Sequence, residues 1–459
     1  MVGDIPSPLN NQLYFMLQLF SLAFGSSPTS PSSAPGDLIV QDFAVIMIIA
    51  AVMLIITHKL KQPMVIGYIL AGMIIGPYTP PFSLISSIQT VNILSELGII
   101  MLLFVIGTEF PIAKLKSVSK ISIIVALPES MGTLLIVFFI SQTLGFSFFD
   151  SMFLALAMSI TSTVVTIRIL EELDIIRDRS STIILGVLII EDIIAISALA
   201  ILQSSVVVTT TAAPASMGNI ANVNGLITGG IGHEGEGGQG GEIPILKIAI
   251  SLAIVGAFIG GILILGSRFI PTILDRIGKT NDYELLLIVI LGLAFGLSFA
   301  AKLLGLSVVI GAFLAGVLVA ESKSAAVVRV LTIPLRDVFS AIFFISIGAL
   351  MNVSLLPSFI IPAIILILTS FASKFLIITG TLVVKSKIDS TTALRTGLGL
   401  AASKGEMSLI IAKGGQDVGA ISSSVLPILG VVTIITTFIA PYIIKFGNKI
   451  KVSESSTTS

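Results

Sequence analysis

Two adjacent carboxylates, Glu191 and Asp192, stand inside Gly186-Val-Leu-Ile-Ile-Glu-Asp-Ile-Ile-Ala-Ile-Ser197, a stretch otherwise dominated by aliphatic residues. A carboxylate taken out of water beside a like charge exchanges protons near neutral pH, and a dehydrated monovalent cation favours the same oxygens. Competition of cation and proton for one carboxylate is sufficient to exchange one ion for the other. Successive helical positions lie about 100° apart around the axis, so the two acids are expected to take different roles. The other ionisable residues within apolar stretches are Glu129, which follows Pro128, then Lys374, and Lys404 with Glu406. On insertion scales each such charge costs about 2.5–3.5 kcal/mol at the bilayer centre, so each should face protein or a wet cavity. Lys374 precedes Lys385, at the expected membrane edge, by eleven residues, which is about 16 Å of helix and beyond the reach of one side chain. An internal ion pair with Glu191, Asp192, Glu129 or Glu406 is the expectation for Lys374. Glu129 and the Lys404/Glu406 pair read equally well as structural neutralisers.

A cation site in a bilayer needs backbone as well as carboxylates, because unwound segments supply carbonyls and half-helix ends. Ser159-Ile-Thr-Ser-Thr-Val-Val-Thr166 places Ser159, Thr161, Ser162 and Thr163 at mid-depth of an apolar stretch, where hydroxyls satisfy freed backbone groups or ligate a cation. Interhelical hydrogen bonding alone would also account for them. Gly397-Leu-Gly-Leu-Ala-Ala-Ser-Lys-Gly-Glu406 combines helix-weakening glycines with Lys404, Gly405 and Glu406 at similar depth. Both segments are expected to break their helices.

The elements that must hold these residues are apolar helices. Hydrophobic residues make up 55% of the 459-residue chain and charged residues 11%, against roughly 25% charged in a soluble domain. Apolar runs long enough to cross a hydrocarbon core recur along the sequence, predicting an all-α polytopic membrane protein. Thirteen spans are expected, at 38–57, 63–77, 91–108, 119–141, 149–169, 181–204, 245–267, 283–301, 305–320, 336–352, 357–382, 391–413 and 424–444. The 25 Lys and Arg residues support that count. Apart from Lys247, Lys302, Lys413 and the intramembrane Lys374 and Lys404, all fall in alternate connections or the C-terminal tail. Positive charge collects on the cytoplasmic face, so the N-terminus is expected outside and the C-terminus inside, in the cell membrane.

Residues 1–37 read as an outer N-terminal segment, 38–446 as the membrane domain and 447–459 as a cytoplasmic tail. Within the domain, 38–204 is a first repeat, 205–243 a Gly-rich outer loop, 244–282 a linker helix with its flanks, and 283–446 a second repeat. Two inverted six-helix repeats with discontinuous crossing helices are the expected arrangement, since transporters place a site at such a repeat interface. His233, Glu234 and Glu236 lie in the Gly-rich run 229–241, which reads as a solvated linker rather than a metal site. Gly72 with Gly76, Gly256 with Gly260 and Gly292 with Gly296 have spacings that permit close helix packing.

Whole function classes drop out. Cys is absent, which removes disulfides, thiolate metal sites and cysteine nucleophiles. Lys+Arg and Asp+Glu balance at 25 each, giving no basic bias toward nucleic acid. Intramembrane protease motifs are missing, so no enzymatic activity and no cofactor are expected. No repeated selectivity loop argues for a channel. A Na+-driven symporter of a small organic anion on a related broken-helix fold is the alternative transporter.

Four motifs carry a resemblance: Leu60-Lys-Gln-Pro-Met-Val-Ile-Gly-Tyr-Ile-Leu-Ala-Gly-Met-Ile-Ile-Gly-Pro77, Leu94-Ser-Glu-Leu-Gly-Ile-Ile-Met-Leu-Leu-Phe-Val-Ile-Gly-Thr-Glu109, Gly305-Leu-Ser-Val-Val-Ile-Gly-Ala-Phe-Leu-Ala-Gly316 and Phe343-Phe-Ile-Ser-Ile-Gly348. Over 39–446 the chain resembles the monovalent cation:proton antiporter-2 family, of bacterial sodium/proton antiporters and Kef-type potassium efflux transporters. The resemblance implies thirteen helices, a homodimer built through a dimerisation domain, and a core of spans four to six and eleven to thirteen that moves like an elevator. It implies that Asp192 binds cation and proton, that Glu191 occupies the variable position before it, and that Lys374 is the lysine paired with an acid there. Thr161 to Thr163 match the unwound segment of the first repeat, and Lys404-Gly405-Glu406 the basic-Gly-Glu stretch of the second. Glutamate at 191 departs from the commoner Asp, Asn or Gln. The transported ions implied are Na+, ahead of K+, against H+.

Overall fold

The computed structural model describes residues 35–450 apart from 61, 80–83, 86, 110–118, 212–256, 259, 281, 305 and 353–355. Every regular element among the described residues is helical: α1 (Pro35–Lys59), α2 (Met64–Ile75), α3 (Ile88–Thr108), α4 (Lys120–Thr143), α5 (Phe148–Ser159), α6 (Thr163–Glu172), α7 (Arg179–Thr211), a wider turn (Ile262–Gly266) running into α8 (Ser267–Gly278), α9 (Tyr283–Leu303), α10 (Val308–Ala320), α11 (Ala325–Ala349), α12 (Leu356–Val384), α13 (Ser390–Ala401), α14 (Glu406–Asp417) and α15 (Val425–Lys449). Starts are set by small polar caps. Ser87, Ser119, Ser147, Asp282, Ser307 and Asp389 each accept a hydrogen bond from a backbone N–H in the first turn of the helix that follows. The bond from Thr392 N–H to Asp389, 2.8 Å long, holds that carboxyl below the ordinary aspartate range.

Nine helical segments among the described residues are long and apolar enough to cross a membrane, and α2 and α10 are shorter apolar helices. Aliphatic and aromatic side chains such as Leu135, Phe139, Leu368 and Leu376 point outward, as a lipid-facing surface requires. Eleven of the thirteen expected spans overlap these helices in order, with informative departures. The stretches 149–169 and 391–413 are each two helices separated by extended residues. The span expected at 336–352 begins earlier, at Ala325, because Arg329 and Arg336, read as loop charges, find partners without leaving the helix: Arg329 reaches the Thr108 carbonyl and Arg336 pairs with Asp337 at 2.9 Å. The span 181–204 continues to Thr211. The Gly-rich loop with His233, and most of the span at 245–267, lie outside the described residues.

Packing sorts the helices into two groups. In one, α3 lies against α10 and α11, with α2 on α11 and α9 on α10. In the other, α4 packs on α5 and α12, α12 on α13 and α15, and α7 on α4 and α13. The first group has a dry interior around Met101, Phe104, Ile290 and Val319. The second has one around Val125, Leu188, Ile378 and Leu400. In the first group backbones approach so closely that only glycine fits. A Cβ on Gly316 would strike the Phe104 carbonyl and the Gly107 Cα, and one on Gly107 would strike the Phe313 carbonyl. Small-residue contact of this kind is how helices associate where lipid offers no hydrophobic drive.

Gly316→Val should therefore lower thermal stability in detergent, at a cost of about 1–3 kcal/mol from overpacking against backbone. Gly292→Val, where a Cβ meets nothing within 4 Å, should leave the melting temperature close to that of the parent chain.

Candidate ion-binding site at the helix crossing

Two extended segments, Ile160 to Ser162 and Ala402 to Gly405, cross inside the second helix group. Ser162 N–H donates to the Ser403 carbonyl at 3.2 Å, and the Thr166 and Ser403 hydroxyls lie 3.1 Å apart. Glycine at 405 is required by the contact itself, since a Cβ there would strike the Ser162 side chain. The break leaves the last carbonyls of α5 without intrahelical backbone partners, and those of Ala157, Met158 and Ser159 find donors from other elements. Ser408 donates to Ala157 O at 2.7 Å. Ser370 and Lys404 donate to Met158 O at 2.7 and 2.6 Å. Lys374 donates to Ser159 O at 2.8 Å. Two lysine amino groups thus sit at the negative end of a half-helix, where the backbone dipoles favour cations. Thr161 Oγ1 returns the service to the other break by donating to Leu400 O at 2.7 Å. Thr437 donates to Lys404 O, and Lys404 N–H donates to Thr436.

The charged residues are nearly all sealed from solvent. Lys374 Nζ lies 3.0 Å from Glu129 Oε1 and 3.1 Å from Glu191 Oε1, with all three side chains fully buried. It also donates to Thr161 Oγ1 at 2.8 Å. Glu191 Oε2 accepts the Thr161 backbone N–H at 2.7 Å. Glu129 accepts from Ser130 and Thr133. The internal ion pair expected of Lys374 is present and involves both acids. Glu406 accepts from Ser162 Oγ at 2.9 Å, while Ser162 also caps α6 by accepting from Val165 N–H. No ion pair joins Lys404 to Glu406 among the described residues, so these two do not neutralise each other as a pair. Ser159 contributes its carbonyl only, because its hydroxyl turns back to Leu156 O at 2.8 Å.

Asp192 faces elsewhere. Its Oδ2 accepts from Thr163 Oγ1 at 2.9 Å, whereas Oδ1 is buried with no hydrogen-bond partner. Asp192 and Thr163 line a cavity of about 290 Å³ with Glu109, Ile167, Ile176, Leu185, Leu188 and Ile189. Ile176 belongs to the connection between α6 and α7, so the cavity runs from Asp192 toward that end of the molecule. The 100° step along α7 thus sends one acid to the lysine and the other to the cavity. Glu109 is the residue that sequence reasoning missed. It closes α3 in the first helix group, and the carbonyl just before it, on Thr108, is gripped by Arg329. Its only signal was a carboxylate directly after an apolar span. At the opposite end of the seam Lys413, read as a loop cation, is buried. It pairs with Asp417 and donates to Asn92 of α3 at 3.3 Å.

A polytopic helical protein with oppositely charged groups sealed at a helix crossing, beside a cavity with one unpartnered carboxylate oxygen, has the make-up of an ion-coupled transporter rather than an enzyme. The chain matches the profile of the family described as "Sodium/hydrogen exchanger, transmembrane" over residues 45–447, and it belongs to that family. It is 31% identical over 337 residues to YbaL of Escherichia coli (strain K12), a match covering 72% of this chain and 56% of that longer protein. It is 27% identical over 399 residues to a Na+/H+ antiporter of Enterococcus hirae, covering 86% of this chain and 94% of the relative. Other relatives are named for K+. The sodium proton antiporter MjNhaP1 of Methanocaldococcus jannaschii superposes with a TM-score of 0.63 over 90% of this chain and 98% of its own, at 16% identity, a likeness of fold.

Removing Lys374 strands two buried carboxylates. Lys374→Met should therefore destabilise the protein by about 3–5 kcal/mol, read as a large fall in melting temperature in detergent. Exposed Lys302→Met, which loses only its partly solvated pair with Glu96, should change it by less than about 1 kcal/mol.

Proposed function

We propose that the chain is a secondary antiporter that exchanges a monovalent cation, Na+ ahead of K+, for protons at Asp192. The observation that carries the proposal is the buried, unpartnered Oδ1 of Asp192, a residue that lines the cavity. An ionised carboxylate left bare there is costly, and either a proton or a dehydrated cation relieves the cost. Occupancy by one excludes the other, and that exclusion couples the two fluxes. Thr163 orients the carboxylate. Glu191 modulates the site through Lys374, and Glu129, Lys404 and Glu406 stabilise the crossing. Preference for Na+ rests on the family description and on the relative from E. hirae.

The same reading assigns movement to the second helix group. A neutral, occupied Asp192 lets α4 to α7 and α12 to α15 slide as one body past α2, α3 and α9 to α11, whereas a bare charge resists passage through a dry seam. The chain would be organised as two inverted six-helix repeats around a linker, with thirteen spans, the N-terminus outside and the C-terminus in the cytoplasm of a plasma-membrane homodimer. The cavity would then open to the cytoplasm. An organic-anion symporter fits less well, since both ionisable groups lining the cavity, Glu109 and Asp192, are acids that would repel the solute.

Asp192→Asn keeps the hydrogen bond to Thr163 but cannot alternate between charge states. In proteoliposomes it should abolish pH-driven Na+ or K+ flux while retaining the parent gel-filtration profile and melting temperature. Undiminished proton-coupled flux in that variant would remove Asp192 from the mechanism.

A further inference from the structure

Lys374 has more acceptors than protons. An ammonium carries three N–H donors, and four acceptors lie within 3.1 Å of Nζ: Ser159 O, Thr161 Oγ1, Glu191 Oε1 and Glu129 Oε1. The two carboxylates are not equivalent. Glu129 is on α4, anchored by Ser130 and Thr133 of its own helix. Glu191 is on α7, next in sequence to Asp192, and it contacts the backbone of the unwound segment. Glu191 is therefore the acceptor that can leave when a cation arrives beside it. If it leaves, Lys374 retains one acceptor for each of its three protons, and one of those acceptors is anionic.

We infer, building on the antiport reading, that Glu129 keeps Lys374 protonated throughout the transport cycle, so that the exchange moves one proton for each monovalent cation and no net charge. The balance is simple. Binding of the cation displaces one proton from the Asp192 carboxyl, Glu191 shifts toward the cation or stays, and Lys374 releases nothing because Glu129 still offsets its charge. Among the described residues no other acid is positioned to substitute for Glu129. Asp192 is turned toward Thr163 and the cavity, and Glu406 is held by Ser162. The one further cation at the crossing, Lys404, is engaged with the Met158 carbonyl. With Glu129 neutralised, departure of Glu191 would leave a buried ammonium without a counter-charge, and shedding its proton would add a second proton to each cycle.

The test is the null point of exchange in proteoliposomes held at zero membrane potential, with Na+ and K+ each tried as the cation. A tenfold cation gradient is balanced by about one pH unit if a single proton is exchanged and by about half a unit if two are. The parent chain should null at one unit and be indifferent to an imposed potential of about 100 mV, whereas Glu129→Gln should null near half a unit and respond to the potential. Glu129→Asp, which restores the charge, should return the null toward one unit. A parent chain that nulls at half a unit overturns the inference, and so does a folded, active E129Q that still nulls at one. Should E129Q fail to assemble, the null of the parent chain decides alone. Absence of any pH-driven cation flux in the parent chain would instead defeat the antiport reading, so the two failures are distinguishable.

Discussion

The organisation of the second helix group depends on one constraint: a helix interrupted in a bilayer exposes carbonyls that no water is present to satisfy. The end of α5 meets it with donors taken from two other helices and from the second break. Ser370 and Lys374 come from α12, Ser408 from α14, and Lys404 from the crossing itself. Each donor does more than neutralise a dipole. Because the two breaks supply one another, neither can form without the other, and the loops are locked at the depth where the charges must sit. The lysines are retained at the crossing by backbone as much as by carboxylate.

Once Lys374 and Lys404 are fixed by carbonyls, the acids can specialise. Glu191 and Glu129 share Lys374, Glu406 rests on Ser162, and Asp192 alone keeps an oxygen free. A buried ion pair contributes little net stability, since desolvation offsets attraction. The cluster is better understood as defining which of these acids already have partners, so that a single carboxylate oxygen among them remains without one. In the proposed exchange, proton and cation would compete for that position.

Much of this was legible in the sequence. The helical class, a break within each of 159–166 and 397–406, and the set of intramembrane charges could be read from hydropathy, hydroxyl and glycine clustering and the cost of ionised groups in lipid. The orthogonal directions of Glu191 and Asp192 followed from helical geometry alone. Which acid Lys374 would choose did not, because α4, α7 and α12 are far apart in the chain and only their packing makes Glu129 and Glu191 equidistant from one ammonium. Lys404 and Glu406 looked like a pair because they are near neighbours in sequence, yet the extended backbone between them turns each to a different partner. Arg329 and Lys413 were assigned to loops by a charge rule that holds for exposed residues and fails where a long side chain finds a carbonyl or amide across a helix interface.

The seam between the helix groups is not alike at its two ends. At one end Lys413 reaches across to Asn92 in a part-buried contact, and at the other Glu109 and Asp192 line a cavity. In the proposed motion a sliding body would close one of these as it opens the other, so that the work of hydrating a lysine at one mouth would be set against that of dehydrating two carboxylates at the other. Transport speed in the two directions would then be governed by unlike solvation events. Conditions that alter water activity, such as high osmolality, would weigh on inward and outward movement unequally, even for an exchanger that carries no net charge.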